Sequence, residues 1–239
     1  MAKYGSNSVS FLLVNGYDLT GVSTTLSDAT EAPVEETTAL GDAWGESLAT
    51  GVRQAELAAE GFYDDASDSV NAALSGSEAT SKVVSIAYAG NTLAQPMINH
   101  EGVFAATYSR TATRNELTKA SATYTVSGTK DEGVILLPLA EVTATGSGSA
   151  QNNDASTANG GAGVLQVTAA GGSSPTADVK IQHSADNISY VDLITFTQAT
   201  ARTAERTTVS GTVNKYLKAP YTIGGTAPTI TRGVGFARG

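Results

Sequence analysis

The chain holds two histidines, His100 and His183, and no cysteine in 239 residues. A three-histidine zinc site is out of reach, and neither histidine is accompanied by a nucleophile motif. Without cysteine there are no disulfides and no thiolate metal sites. His183 falls in an alternating stretch beside a turn and His100 follows "PMIN". Both read as surface or hydrogen-bonded strand histidines. Asp64, Asp65 and Asp68 are close enough to be taken for calcium ligands. They lack the regular offsets, central glycine and terminal glutamate of a calcium loop, so Asp64 and Asp65 read as a helix cap instead. Glu35 and Glu36 are neighbours, which a strand sends to opposite faces, so they make no acid–base couple. The glycines of "NGGAG", Asn159 to Gly163, are not followed by Gly-Lys-Ser/Thr and make no phosphate loop. Tyr190, Tyr216 and Tyr221 are the residues that a sugar-binding face would use, although strands carry tyrosine for other reasons too. The reading is a protein without catalytic residues, cofactor or metal.

The elements that hold these residues are almost all strands. "SVSFLLVNGYDL", Ser8 to Leu19, is a strand with an Asn15-Gly16 turn. The stretch from Thr24 to Gly51 is polar and acidic, carries Pro33 and keeps no period. It reads as a long loop or a loosely paired hairpin. It holds the only tryptophan, Trp44. An aromatic in an acidic loop anchors either against a neighbouring molecule or on its own domain. "VRQAELAAEGF" alternates with Leu57 and Ala59 on one face and Glu56 and Glu60 on the other. Next comes a helix of about three turns, with Ala66, Val70, Ala73 and Leu74 as its apolar stripe and Gly76 as its stop. A helix this short needs a sheet to pack on. "KVVSIAYAG", "GVFAATYSR", "KASATYTVSG" and "GVILLPL" are further strands. Val134 to Leu137 is continuously apolar, as a strand covered on both faces is. "TATGSGSAQNNDASTANGGAG" is a linker or an irregular strand. Beyond it, "ADVKIQHSADNISYVDLITF" is a hairpin, and further strands follow to the end. No repeat of fixed short period is evident.

Charge divides the chain in the same place. Residues 1–141 carry 7 basic and 18 acidic residues, net −11, and residues 142–239 carry 7 and 5, net +2. An acidic half is a poor surface for phosphate contacts. No run reaches the roughly 18–20 apolar residues of a membrane span, and "MAKYGSNSVS" lacks the apolar stretch of a secretory signal. The expectation is a protein made in the cytoplasm. The predicted fold is mainly β. Residues 1–141 form a β-sandwich or barrel with one short flanking helix. Residues 142–239 form a second β-sandwich of jelly-roll or immunoglobulin-like kind.

"FLLVNGYDLTG", followed by "LGDAWGESLATGVRQAELAAEGFYDD", resembles the major tail tube proteins of long flexible-tailed bacteriophages. The resemblance lies in the order: an opening strand, a long acidic loop, a strand ending in "GFYDD", a short helix. It covers residues 1 to about 141. It implies six-fold rings of a β-sandwich, stacked into a hollow tube that conducts DNA out of the capsid. It also implies a virion location, assembly in the host cytoplasm, and other tail proteins as partners at the tube ends. The loop from Thr24 to Gly51 then bridges subunits, with Trp44, Glu35, Glu36 and Asp42 as candidate interface residues. Glu56 and Glu60 become candidate lumen-facing acids, which repel passing DNA. Val70 and Leu74 become core beneath the sheet. Residues 142–239 look like an appended domain on the tube exterior, whose deletion should leave assembly intact. "VKIQHSADNISYVDL" also resembles a hairpin of jelly-roll carbohydrate-binding modules, so a host-surface glycan is a candidate partner. The competing reading is a capsid decoration protein with an outward carbohydrate-binding-like domain.

Overall fold

The computed structural model describes residues 5, 8–40, 43–49, 51, 53–66, 70–75 and 80–239. Alternation and turn chemistry build its first half. Phe11–Val14 (β1) turns through Asn15 and Gly16 onto Tyr17–Asp18 (β2). Both turn residues have positive φ, 51° and 83°, as a two-residue hairpin loop demands. Ser23–Glu31 (β3) leads into a smaller hairpin, Val34–Glu36 (β4) with Ser47–Ala49 (β5), and the chain returns as Gln54–Phe62 (β6) on β3. The acidic segment is therefore a two-stage hairpin. At its neck a Cβ on Gly51 would run into the ring of Pro33. Val70–Leu74 (α1) is the helix among the described residues. It is shorter than the expected three turns, whose remaining positions 67–69 and 76 lie outside the described residues.

Lys82–Ala87 (β7), Pro96–Thr111 (β8), Lys119–Val126 (β9) and Lys130–Val142 (β10) complete the first half. The first part of β8 pairs with β7 and β10, and its second part with β9. One layer is thus β3–β6–β9–β8 and the other β2–β1–β7–β8–β10. Leu12, Val14, Leu57, Val84, Ile86, Val103 and Tyr124 fill the space between, with Val70, Ala73 and Leu74 of α1 among them. Burying side chains of this size stabilises by about 1.5–3 kcal/mol each.

Gly146–Ser147 (β11) and Gln151–Asn152 (β12) are short strands in the Gly/Ser/Asn-rich stretch. Gly161–Ser184 (β13), Val191–Thr195 (β14), Thr203–Val209 (β15), Tyr216–Lys218 (β16) and Pro220–Arg238 (β17) follow. β13 and β17 pair from Gly161 opposite Arg238 to Val179 opposite Tyr221. Each passes through the same pattern, "GGSSPT" at 171–176 and "GGTAPT" at 224–229, and the two patterns face each other. Gly172 and Ser174 have φ of 98° and 50°, and Gly225 and Ala227 have 114° and 48°. Read alone, each pattern is a turn. Together they are bulges in two strands that stay paired while they bend. Before the bend β13 pairs with β15, and after it with β14 and β16. A second core forms from Leu165, Val179, Ile181, Ile194, Phe196, Leu217 and Phe236.

The two halves meet along β10. It pairs with β8 on one edge and β17 on the other. Its Leu136 and Leu137 belong to the second core, while Ile135 joins Phe11, Leu13, Ala87 and Met97 in a third cluster. The expected division at 141/142 therefore falls at the end of a strand that both halves use.

Candidate functional site

The β4–β5 hairpin is the most exposed part of the described chain. Val34, Leu40, Trp44 and Leu48 all point into solvent there, Trp44 with 85 % of its surface free. The structure leaves Trp44 off the core of its own chain. Glu35 and Glu36 lie in β4 opposite Leu48 and Ser47, both exposed, and Asp42 lies outside the described residues. Between Lys3 and Arg53 the sequence has no Lys or Arg. The arm is thus apolar, acidic and without cations. Exposed apolar side chains in such a cluster mark an interaction surface.

Below the arm, the outer face of the β3–β6–β9–β8 layer is open. Register aligns Ala29, Glu56, Thr125 and Phe104 in one row, Ser27, Ala58, Thr123 and Thr107 in the next, then Thr25, Glu60, Ser121 and Ser109. It is a surface of small hydroxyls and alanines, with Phe104 and two glutamates among them. Glu56 is exposed. Glu60 is paired with Lys119 at 3.3 Å, so it does not present a free charge.

The opposite face of the sandwich is covered. Phe11, Leu13, Ala87, Met97 and Ile135 are buried there. Gln166 of β13 is buried against it: its Oε1 accepts from the Gly16 N–H at 2.9 Å and its Nε2 donates to Ser85 Oγ at 3.0 Å. Ser85 in turn donates to Asn99 at 2.7 Å. Arg206 of β15 donates to both carboxylate oxygens of Asp131, at 2.6 and 3.0 Å, and to Glu101 at 2.6 Å. These contacts seat the second half on the side away from the acidic face.

One polar cluster was not foreseen from the sequence. His100 is fully buried rather than at the surface. The reason is that it points inward from β8, between the layers, where Asp28 reaches it from β3. Its Nε2 lies 3.2 Å from Asp28 Oδ1, and Lys130 Nζ lies 3.0 Å from Asp28 Oδ2. Neither ring nitrogen makes an aligned hydrogen bond among the described residues. Burial raises the Asp28 carboxyl, but His100 and Lys130 outweigh it and hold it below the usual range. Burial, with Asp28 adding to it, pushes the nearby Tyr88 phenol up to about 12. Lys130 also lines a groove of about 590 Å³ at the root of the arm, with Thr30, Arg53, Gln54 and Glu132. The one legible hint was the inward parity of Asp28 with Leu26.

The remaining candidate residues are placed as follows. Asp64 Oδ1 accepts from the Ala66 N–H at 2.9 Å, and its carbonyl accepts from the Asn71 N–H at 3.1 Å. Asp65 is exposed, and Val70 and Leu74 are buried. His183 Nδ1 accepts from the Asn214 N–H at 3.2 Å, and burial lowers its pKa. Among the described residues no group of three or more His, Asp or Glu is placed to hold a metal ion. Tyr190 and Tyr216 share one region: Lys218 Nζ sits 3.8 Å from the Tyr190 ring centre, and Lys215 Nζ 4.9 Å from that of Tyr216. Tyr221 lies apart, on β17 under the Arg232 guanidinium.

No protein-family model matches the sequence, and no curated protein matches it. Among solved structures the chain is similar to one in the virion of a native gene transfer agent particle. Identity is 12 % and TM-score 0.45, over 54 % of this chain and 98 % of that one. It is similar to one in the tail of an empty gene transfer agent particle with C6 symmetry, at 17 % identity and TM-score 0.41, over 55 % and 98 %. It is also similar to the SPP1 Dit protein of the hub adsorption apparatus, at 10 % identity and TM-score 0.34, over 96 % and 98 %.

Proposed function

We propose that this chain is a structural subunit of a phage tail that polymerises as stacked hexameric rings into the tube conducting DNA. The observation that carries the assembly reading is the arm. Four large apolar side chains held in solvent on a projecting hairpin are costly for a solitary molecule and ordinary for one completed by its copies. The six-fold ring comes from the resemblance of "LGDAWGE" and "GFYDD" to tail tube proteins. The open acidic face supports a lumen: Glu31 and Glu56 repel phosphate, and the Lys119 ammonium is paired with Glu60. Residues 161–238 cover the opposite face, which supports a place on the exterior for the second half, residues 142–239. The chain performs no catalytic step.

The test is negative-stain microscopy of the purified chain. Tubes with a net-negative inner wall are the expected result. Particles without a lumen, or a basic lumen, overturn the reading in favour of a capsid decoration protein.

A further inference from the structure

The sheet β12–β16–β13–β14 has one face in the second core and one in solvent. Ile181, Ile194 and Leu217 point inward and are buried. Gln182 beside Ile181, and Tyr216 and Lys218 beside Leu217, take the other face because successive residues of a strand alternate, and the bulge that sets Gln182 opposite Asp192 turns the exposed Asp192 to it as well. Register brings them together: Gln182 stands opposite both Asp192 and Lys218, and Ser184 opposite Tyr216. Tyr190 joins them through its contact with Lys218.

The charges on this face are unequally committed. Asp192 is bound by Lys180 Nζ at 2.6 Å and Gln182 Nε2 at 2.7 Å. Asp186 accepts from the Ile188 and Ser189 N–H groups and from Ser184 Oγ. Both acids are therefore spent on local partners. Lys215 and Lys218 have no carboxylate within 4.0 Å among the described residues, and each ammonium rests on a tyrosine ring instead. A ring holds an exposed ammonium more weakly than an anion does. Beside them Ile188 and Val191 leave 83 % and 56 % of their surface free.

We propose that this face binds an anionic saccharide. Its acid group draws Lys218 or Lys215 off the ring, the uncovered phenol ring stacks on the sugar's C–H face, and the side-chain carbonyl of Gln182, whose N–H is held by Asp192, accepts from a hydroxyl. The shared chemistry is a sugar or polyol unit beside a carboxylate or a phosphodiester. A nucleic acid fits less well. Two free ammonium groups are few for a polymer with a phosphate at every residue, and the first half of the chain repels it. The proposal does not rest on the tube reading. A chain that forms no tubes and binds the saccharide leaves it standing, and tubes without binding remove it alone.

The experiment is calorimetric titration of the full chain with four probes: a glucuronate-containing hexasaccharide, a poly(glycerol phosphate) oligomer, a neutral hexasaccharide and a single-stranded oligonucleotide. Binding of the first marks a carboxylate source and of the second a phosphate source, and either supports the site. Lys218→Gln and Tyr216→Ala should each weaken that binding about tenfold or more, the loss expected for one charge-assisted or stacking contact. Thermal melting checks the fold, and Lys218→Gln, at a half-exposed position, serves if Tyr216→Ala fails to fold. Equal binding of the neutral probe, binding of the oligonucleotide alone, no binding at all, or indifference to both substitutions overturns the proposal.

Discussion

The first sandwich has two outer faces of opposite character. One is Phe11, Leu13, Ala87, Met97 and Ile135, and it is buried. The other is mostly Ser, Thr, Ala and Glu in three rows, and it is open. Both are built on strands of the same sandwich, so strand propensity does not explain the difference. What covers each face does. Residues 161–238 lie on the first, and they bring Gln166 and Arg206 to meet the polar groups it could not leave unpaired. Among the described residues nothing packs over the open face. It is polar without being sticky, and the arm beside it is the reverse. The chain thus protects one face, keeps another smooth and exposes an apolar arm, the arrangement on which the proposed assembly rests.

Equal cuts into both faces should give very unequal losses. Leu13→Ala removes a fully buried side chain from the covered face and should cost about 2–5 kcal/mol in denaturant unfolding. Thr123→Ala on the open face should stay within about 0.5 kcal/mol. Similar losses at both would mean that the open face is packed after all. Arg206→Ala tests the clamp between the halves. It strands Asp131 and Glu101, and the stability should fall by about 1.5–3 kcal/mol, the value of hydrogen bonds to charged groups, with the Glu101 share reduced by solvent. A loss confined to residues 142–239 by hydrogen exchange would show that the halves melt separately.

Asp28 gives a smaller, pH-dependent effect. Its carboxyl is held below its ordinary 3.8, so it binds protons less readily folded than unfolded. It therefore adds stability above that value, and the gain is lost as pH falls through the lowered folded pKa. Asp28→Asn should flatten the acid limb of the stability profile. An unchanged limb would remove Asp28 from the account. The smallest effect on stability belongs to the arm. Trp44→Ala should leave the stability of the single chain within about 0.5 kcal/mol and abolish or weaken assembly seen by negative stain. Normal tubes from Trp44→Ala would take the tryptophan out of the interface. Glu56→Lys should likewise leave fold and assembly alone and slow DNA ejection.

Much of this was legible in residue order. Leu57 and Ala59 alternating with Glu56 and Glu60 gave β6 and its two faces. Asn15-Gly16 gave the first turn, "SADN" gave the β13–β14 hairpin, and the unbroken Val134–Leu137 run gave a strand covered on both sides. The arm was legible as polar, acidic and unusual, with Trp44 left between two roles. The 24-residue length of β13 was not legible, because "GGSSPT" reads as a stop. Only its facing partner "GGTAPT" lets the pairing continue through it.

The β class, the charge imbalance, the absence of thiol chemistry and the period-two faces all follow from residue order and composition. Each is local or a count: it depends on neighbours along the chain and on nothing further away. Packing between distant strands settled which face is covered, that Trp44 stands exposed to solvent, and that His100 is buried beside Asp28. It also brought Tyr190 and Tyr216 together and left Tyr221 apart. Those outcomes depend on register and on how the layers stack, and a one-residue slip in register sends every side chain of a strand to its other face.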